Sequence, residues 1–251
     1  MLNLFGGNTP GSYEISIFWA GLVFFVLLFF WIAKKKKLND GEHSLLWLVS
    51  FLLSISVFFT VAYLAISDKF DFVYIQDFLV PSLSGGLTDF FLAVTYLSSP
   101  FMLGTASVVI AFLFYKKKRY FYMLFFVLSI IIGVIGRTVF KFFFQIARPE
   151  NGIITVSGFS FPSGHATLSS AFFFVLLAIL FFMSKDRARR VIFTFACLSL
   201  VYFIVLSRVY LGVHRIEDVI AGLFLGISAV CLSYLFSSVM IALKNRPEHL
   251  E

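Results

Sequence analysis

The sequence predicts an all-α fold, a polytopic membrane helix bundle of about seven transmembrane helices, and three observations predict it. Of 251 residues, 60% are hydrophobic and only 13% charged, about half the quarter that soluble domains carry. Uncharged stretches long enough to span a bilayer, about 20 residues, recur from end to end with short polar links between them. Lys and Arg gather on alternate links. These features exclude a disordered chain, a nucleic-acid-binding module and an ordinary cytosolic enzyme. The formal charge of +7 therefore matters through its placement, and no nucleic-acid partner is expected. Cys197 and Cys231 lie in apolar stretches and suggest no disulfide framework.

The spans follow in order. Residues 15–33, 44–66 and 90–115 are free of charge. Residues 120–136 form the fourth span, which continues past Arg137 into a Phe-rich turn. Residues 166–184 are again uncharged, 191–206 are short unless Ser207 and beyond extend the helix, and 219–243 close the bundle. Two units result: residues 1–43, an extra N-terminal helix with its basic link, and residues 44–251, the core domain. The 36 Phe residues are read as lipid-facing and inter-helix packing. In the link 67–89, Asp68, Asp71 and Asp77 interleave with Phe70, Phe72 and Tyr74, the pattern of an amphipathic interfacial segment.

Cations beside spans mark the cytoplasmic side. The lysines at 34–37, the basic run 116–119, the cluster Lys185, Arg187, Arg189 and Arg190, and Lys244 with Arg246 all fall on one set of links. This puts the N-terminus outside and the C-terminus inside. The first thirteen residues carry no Lys or Arg, which agrees and argues against a cleaved signal peptide. Lys69, Arg137, Lys141, Arg148, Arg208 and Arg215 are left on the outer face.

All but Lys69 of those outer cations cluster at the ends of the fourth and sixth spans and the start of the seventh. Ionisable groups at membrane depth are costly and point to a site, although any one of them alone reads as a side chain snorkelling to headgroups. Arg137, Lys141 and Arg148 share one stripe if the helix continues. Cations so close repel unless an anion joins them, so a phosphate is the natural ligand. The same links hold His165 and His214; His43 and His249 lie in inner polar links as solvated residues.

Read in order, the outer residues form Lys141-x6-Arg148-Pro149, then Pro162-Ser163-Gly164-His165, then Ser207-Arg208-x5-His214-x3-Asp218. This resembles the tripartite signature of the type 2 phosphatidic acid phosphatase superfamily, integral-membrane lipid phosphatases related to vanadium haloperoxidases. The resemblance runs from about Ser44 to the end of the last span. It implies a lipid phosphate hydrolase with His214, His165 and Asp218 as catalytic residues, and with Lys141, Arg148, Ser163, Gly164 and Arg208 binding the phosphate. Members commonly have six spans with the first motif after the third. Here it follows the fourth, so residues 15–33 are the addition.

The chemistry of the residues agrees with those roles. A neutral His214 nitrogen can attack phosphorus to give a phospho-histidine, and Asp218 can orient the ring, unless it pairs with Arg215 or Arg208 instead. His165 can protonate the leaving group. Ser163, Gly164 and His165 open a helix whose N–H groups suit phosphate oxygens, while Lys141, Arg148 and Arg208 offset the charge. Arg137 and Arg215 are secondary cations outside the signature; they favour a diphosphate or a more acidic headgroup. Gly222-x3-Gly226 reads as helix packing. No ligand spacing suggests a metal, and no cofactor is expected.

The implied substrate is a membrane lipid phosphate of the undecaprenyl diphosphate, phosphatidylglycerol phosphate or phosphatidic acid type. The implied location is a bacterial plasma membrane, with the site facing the periplasm or exterior. Transfer of the phosphoryl group to an acceptor other than water, and a non-enzymatic anion transporter or channel, are the alternatives.

Overall fold

The computed structural model describes residues 40–67, 85–150 and 152–244. The expected first span, most of the interfacial link and Arg246 lie outside the described residues, while the boundary drawn at residue 43 falls inside the helix Asp40–Ile66. Among those residues the fold is helical throughout: α1 Asp40–Ile66, α2 Gly85–Leu97, α3 Pro100–Lys116, α4 Tyr120–Phe144, α5 Gly164–Met183, α6 Arg187–Tyr210 and α7 Ile216–Lys244. Five of them, α1, α4, α5, α6 and α7, are long and apolar enough to cross a membrane, and α2 with α3 makes a sixth if counted as one bent span. The protein is an integral membrane protein.

The span expected over 90–115 is therefore divided between two helices. The axis turns by 42° between α2 and α3. Pro100 has no N–H to continue the helical ladder, and Ser99 starts a new helix by accepting from the Met102 N–H at 3.3 Å. Ser98 closes the preceding one by donating to Thr95 O.

Helix α4 runs past Gly136 to Phe144, so Arg137 and Lys141 are helical residues. It then stops. Gln145 adopts left-handed φ/ψ of 49° and 33° and returns its N–H to Lys141 O. The stripe expected for Arg137, Lys141 and Arg148 is thereby cut, and Arg148 lies on the irregular segment that follows. Helix α6 starts where Asp186 accepts from the Ala188 and Arg189 N–H groups, and it extends through Ser207 and Arg208 to Tyr210.

Helix α7 packs against α1, α4 and α5, and 67% of the spanning residues of both α5 and α7 are buried within the protein. Small residues allow this closeness. A Cβ added at Gly222 would lie 2.6 Å from Ser163 O, and one at Gly226 2.5 Å from Thr167 O, so the two helices approach backbone to backbone. Buried hydroxyls add ties, Ser54 of α1 to Ser228 of α7 at 2.8 Å and Ser129 of α4 to Ala171 O of α5.

Phenylalanine divides between two environments. Phe58, Phe125, Phe126 and Phe161 are fully buried, whereas Phe101, Phe143 and Phe195 point outward with two thirds or more of their surface exposed, as lipid contact requires. The buried set steadies one end of the bundle. Phe161 packs on Phe144 and Phe58, with centroids 5.2 and 5.9 Å away, and fixes the segment just before α5. On the other flank Phe91 of α2 lies 4.5 Å from the Tyr210 ring, and the Tyr210 hydroxyl meets Thr88 at 3.2 Å.

Candidate active site

The ends of α4 and α6 and the starts of α5 and α7 meet at one end of the bundle, bringing the three motifs together. Backbone bonds fasten the segments. Ser163 N–H donates to Asp218 O at 2.9 Å, Ile153 N–H to Leu211 O at 2.9 Å and Ser160 N–H to Ile146 O at 2.8 Å. Gly212, at φ 67°, supplies the left-handed turn between α6 and His214 that a residue with a Cβ adopts only with strain.

His214 is 1% exposed. Its Nδ1 lies 3.2 Å from Asp218 Oδ2 and 3.2 Å from Ser160 Oγ, while its Nε2 lies 3.2 Å from Arg148 Nη1. A guanidinium can only donate, so Nε2 is the acceptor and Nδ1 carries the proton. The tautomer is thus set by its neighbours, with the Nε2 lone pair directed toward Arg148. Burial lowers the His214 pKa from 6.5 to about 4; the hydrogen bond and charge of Asp218 oppose this, and Arg148 and Arg208 reinforce it. The ring is neutral at physiological pH.

Asp218 is held from three sides. Its Oδ2 accepts from Ser160 Oγ, from the His214 ring and from the Arg215 N–H at 2.9 Å. The last bond is the reciprocal half of a capping box, an acidic residue in the first turn of α7 reaching back to the N–H before the helix. Of the pairings open to Asp218 in the sequence, the structure makes the one with His214.

The motif cations divide by partner. Lys141 Nζ donates to Phe159 O and to Ser160 O at 3.0 Å, so it clamps the segment leading into α5. Arg148 donates from Nε to Gly158 O at 3.0 Å and from Nη1 to Val213 O at 2.8 Å, bridging the second and third motifs. Burial lowers its pKa and Asp218 partly offsets this. Arg208, 2% exposed, donates to Thr95 Oγ1 of α2, and its Nε has no partner.

Arg137, Arg148 and Arg208 all lie close enough for their charges to act on the His165 imidazole. His165 is the second residue of α5, and Ser163 before it is fully buried with an unpartnered hydroxyl. Gly164 is required by a neighbour: a Cβ there would sit 2.7 Å from Arg137 Nη1. Arg215 reaches Glu217 at 3.8 Å with 40% of its side chain exposed, so part of its charge is already paired within the protein. Ser207 donates back to Ile204 O within its own helix.

Two participants were not legible in the motifs. Ser160 stands two residues before Pro162, and that adjacency was its only signal. Thr95 lay inside an apolar stretch and gave none. Among the described residues no group of three or more His, Cys, Asp or Glu side chains is arranged to hold a metal.

A helical membrane bundle that gathers a histidine–carboxylate pair, a second histidine and four cations at one end defines a class of integral-membrane protein, and comparison with known proteins shows what it resembles. Residues 122–240 match the PAP2 superfamily. Phosphatidylglycerophosphatase B of Bacillus subtilis (strain 168) is 29% identical over 149 residues, 56% of this chain and 70% of that protein. The crystal structure of the first transmembrane PAP2 type phosphatidylglycerolphosphate phosphatase from Bacillus subtilis superposes with a TM-score of 0.63 at 24% identity, covering 78% of this chain and 98% of that one. Aquifex aeolicus LpxE gives 0.54 at 23% identity, covering 66% and 96%. Over residues 122–240 the chain is thus similar to the PAP2 superfamily, the resemblance its three motifs suggested.

Proposed function

We propose that the protein is a membrane lipid phosphatase that works through a phospho-histidine, with the site at the extracytoplasmic face. The observation that carries the reading is the His214 ring, proton on the Asp218 side and lone pair toward Arg148. A phosphoryl group held by Arg148 is presented to that nitrogen. Nε2 bonds to phosphorus as the ester oxygen departs, taking a proton from His165; water then attacks the phospho-histidine, returns a proton to His165 and releases phosphate. The substrate's negative charge makes an imidazolium at position 165 tolerable among so many cations. Lys141, Arg148 and Arg208 provide the charge stabilisation that a metal supplies in other phosphatases, so the hydrolysis is metal-independent in this reading.

Phosphatidylglycerol phosphate, the substrate named in the relatives' descriptions, and undecaprenyl diphosphate are the two leading choices. The test is phosphate release from purified phosphatidylglycerol phosphate, phosphatidic acid and prenyl diphosphates in detergent, with excess chelator present. His214→Ala should abolish release and the acid-labile phospho-enzyme together. Release that persists in this variant, or that chelator stops in the wild type, would overturn the mechanism.

A further inference from the structure

Arg137 is the cation that the motifs do not claim. It stands one helical turn before Lys141 on α4, and its guanidinium fills the notch that Gly164 leaves at the start of α5. Among the described residues it makes no hydrogen bond or ion pair, and its buried Nε has no partner. Lys141, Arg148 and Arg208, by contrast, already donate to protein oxygens. A partly buried guanidinium whose Nε has no acceptor is costly, which suits a group whose partner is the substrate.

Its position decides which part of the substrate. Arg148 flanks Nε2 of His214, the attacking side. Arg137 lies against Gly164, next to His165, the leaving-group side. In an in-line displacement these sides are opposed. The charge balance agrees. Lys141, Arg148 and Arg208 against Asp218 leave two positive charges, matching a phosphate monoester of about −2. Arg137 raises this to three, the charge of a diphosphate monoester.

We propose that Arg137 binds the phosphate of the leaving group, and that this chain therefore prefers a lipid diphosphate, cleaved to the lipid monophosphate and orthophosphate. The step rests on the phosphatase reading above. Nε2 bonds to the terminal phosphorus, the bridging P–O bond breaks, and the lipid monophosphate leaves with its new negative charge on Arg137 and a proton from His165. Water then cleaves the P–N bond, so the diphosphate and one water become two monophosphates.

The test compares Arg137→Gln and Arg137→Lys with wild type on a prenyl diphosphate, the matching prenyl monophosphate and phosphatidylglycerol phosphate. Expected for Arg137→Gln is a fall in kcat/KM on the diphosphate that exceeds its fall on the monophosphates by about tenfold or more, with partial recovery in Arg137→Lys. Equal losses on all three, or a wild type that prefers monophosphates, would overturn the proposal and leave the phosphatase reading intact. Binding supplies an arm independent of turnover: inorganic pyrophosphate should raise the Tm of wild type and of Arg137→Lys in detergent, and should fail to do so in Arg137→Gln. Equal protection of wild type and Arg137→Gln would also sink it, even if no lipid is hydrolysed.

Discussion

Whether His214 attacks or is attacked by protons depends on a contest at one side chain. Burial and the cations at Arg148 and Arg208 favour the neutral ring; Asp218 favours the charged one; and burial wins, with a pKa of about 4. The nucleophile is thus competent above that value and is lost only as pH falls through it. kcat/KM measured against pH should stay level on the acid side until near pH 4, not fall near the ordinary histidine value of 6.5. Stability follows the same sign. The unfolded chain takes up the proton near 6.5 and the folded one near 4, so the native state weakens as pH drops through that window. Tm measured from pH 7 to 4 should show the decline, and His214→Gln should flatten it. A decline of unchanged slope in that variant would assign it to other groups.

At the scale of helices, two junctions position the site. One is α5 against α7, where Gly222 and Gly226 bring Ser163 N–H onto Asp218 O and so register the second motif on the third. Gly226→Ala would drive a methyl group into Thr167 O and Ala171 N. It should lower Tm in detergent by an amount typical of overpacking, about 1–3 kcal/mol, and depress activity with it. Gly104→Ala on α3, where nothing lies within 4 Å of the new carbon, is the control that should change neither. The other junction is α2 against α6. It precedes the segment that matches the family, yet Thr95 receives Arg208 and Phe91 supports Tyr210. The bend at Ser99–Pro100 sets the direction of α2 independently of α3.

The whole molecule has a polar axis. Turns rich in Lys and Arg, 116–119 and 185–190, occupy one end of the helices, and His165 and His214 the other. With the basic end cytoplasmic, a single cysteine at Ser157 should react with a membrane-impermeant thiol reagent in intact cells, and one at Arg187 only after lysis. Cys197 and Cys231 are buried and contribute little background. The reverse pattern would invert the assigned faces. The spans among the described residues, the basic turns at one end of them and the three motifs were legible because hydrophobic length, charge placement and residue spacing are properties of the chain itself. The same reading took 90–115 as one span, since proline and serine cost an apolar stretch little hydrophobicity while they break its helix. Arg137 and Arg215 looked equivalent as cations beside the motifs, and only the folded bundle separated them, one lodged against Gly164 and the other turned to Glu217. The tautomer of His214, the clamping by Lys141 and the contributions of Ser160 and Thr95 likewise needed tertiary structure, because a hydrogen bond between residues far apart in sequence exists only where packing has set the distance.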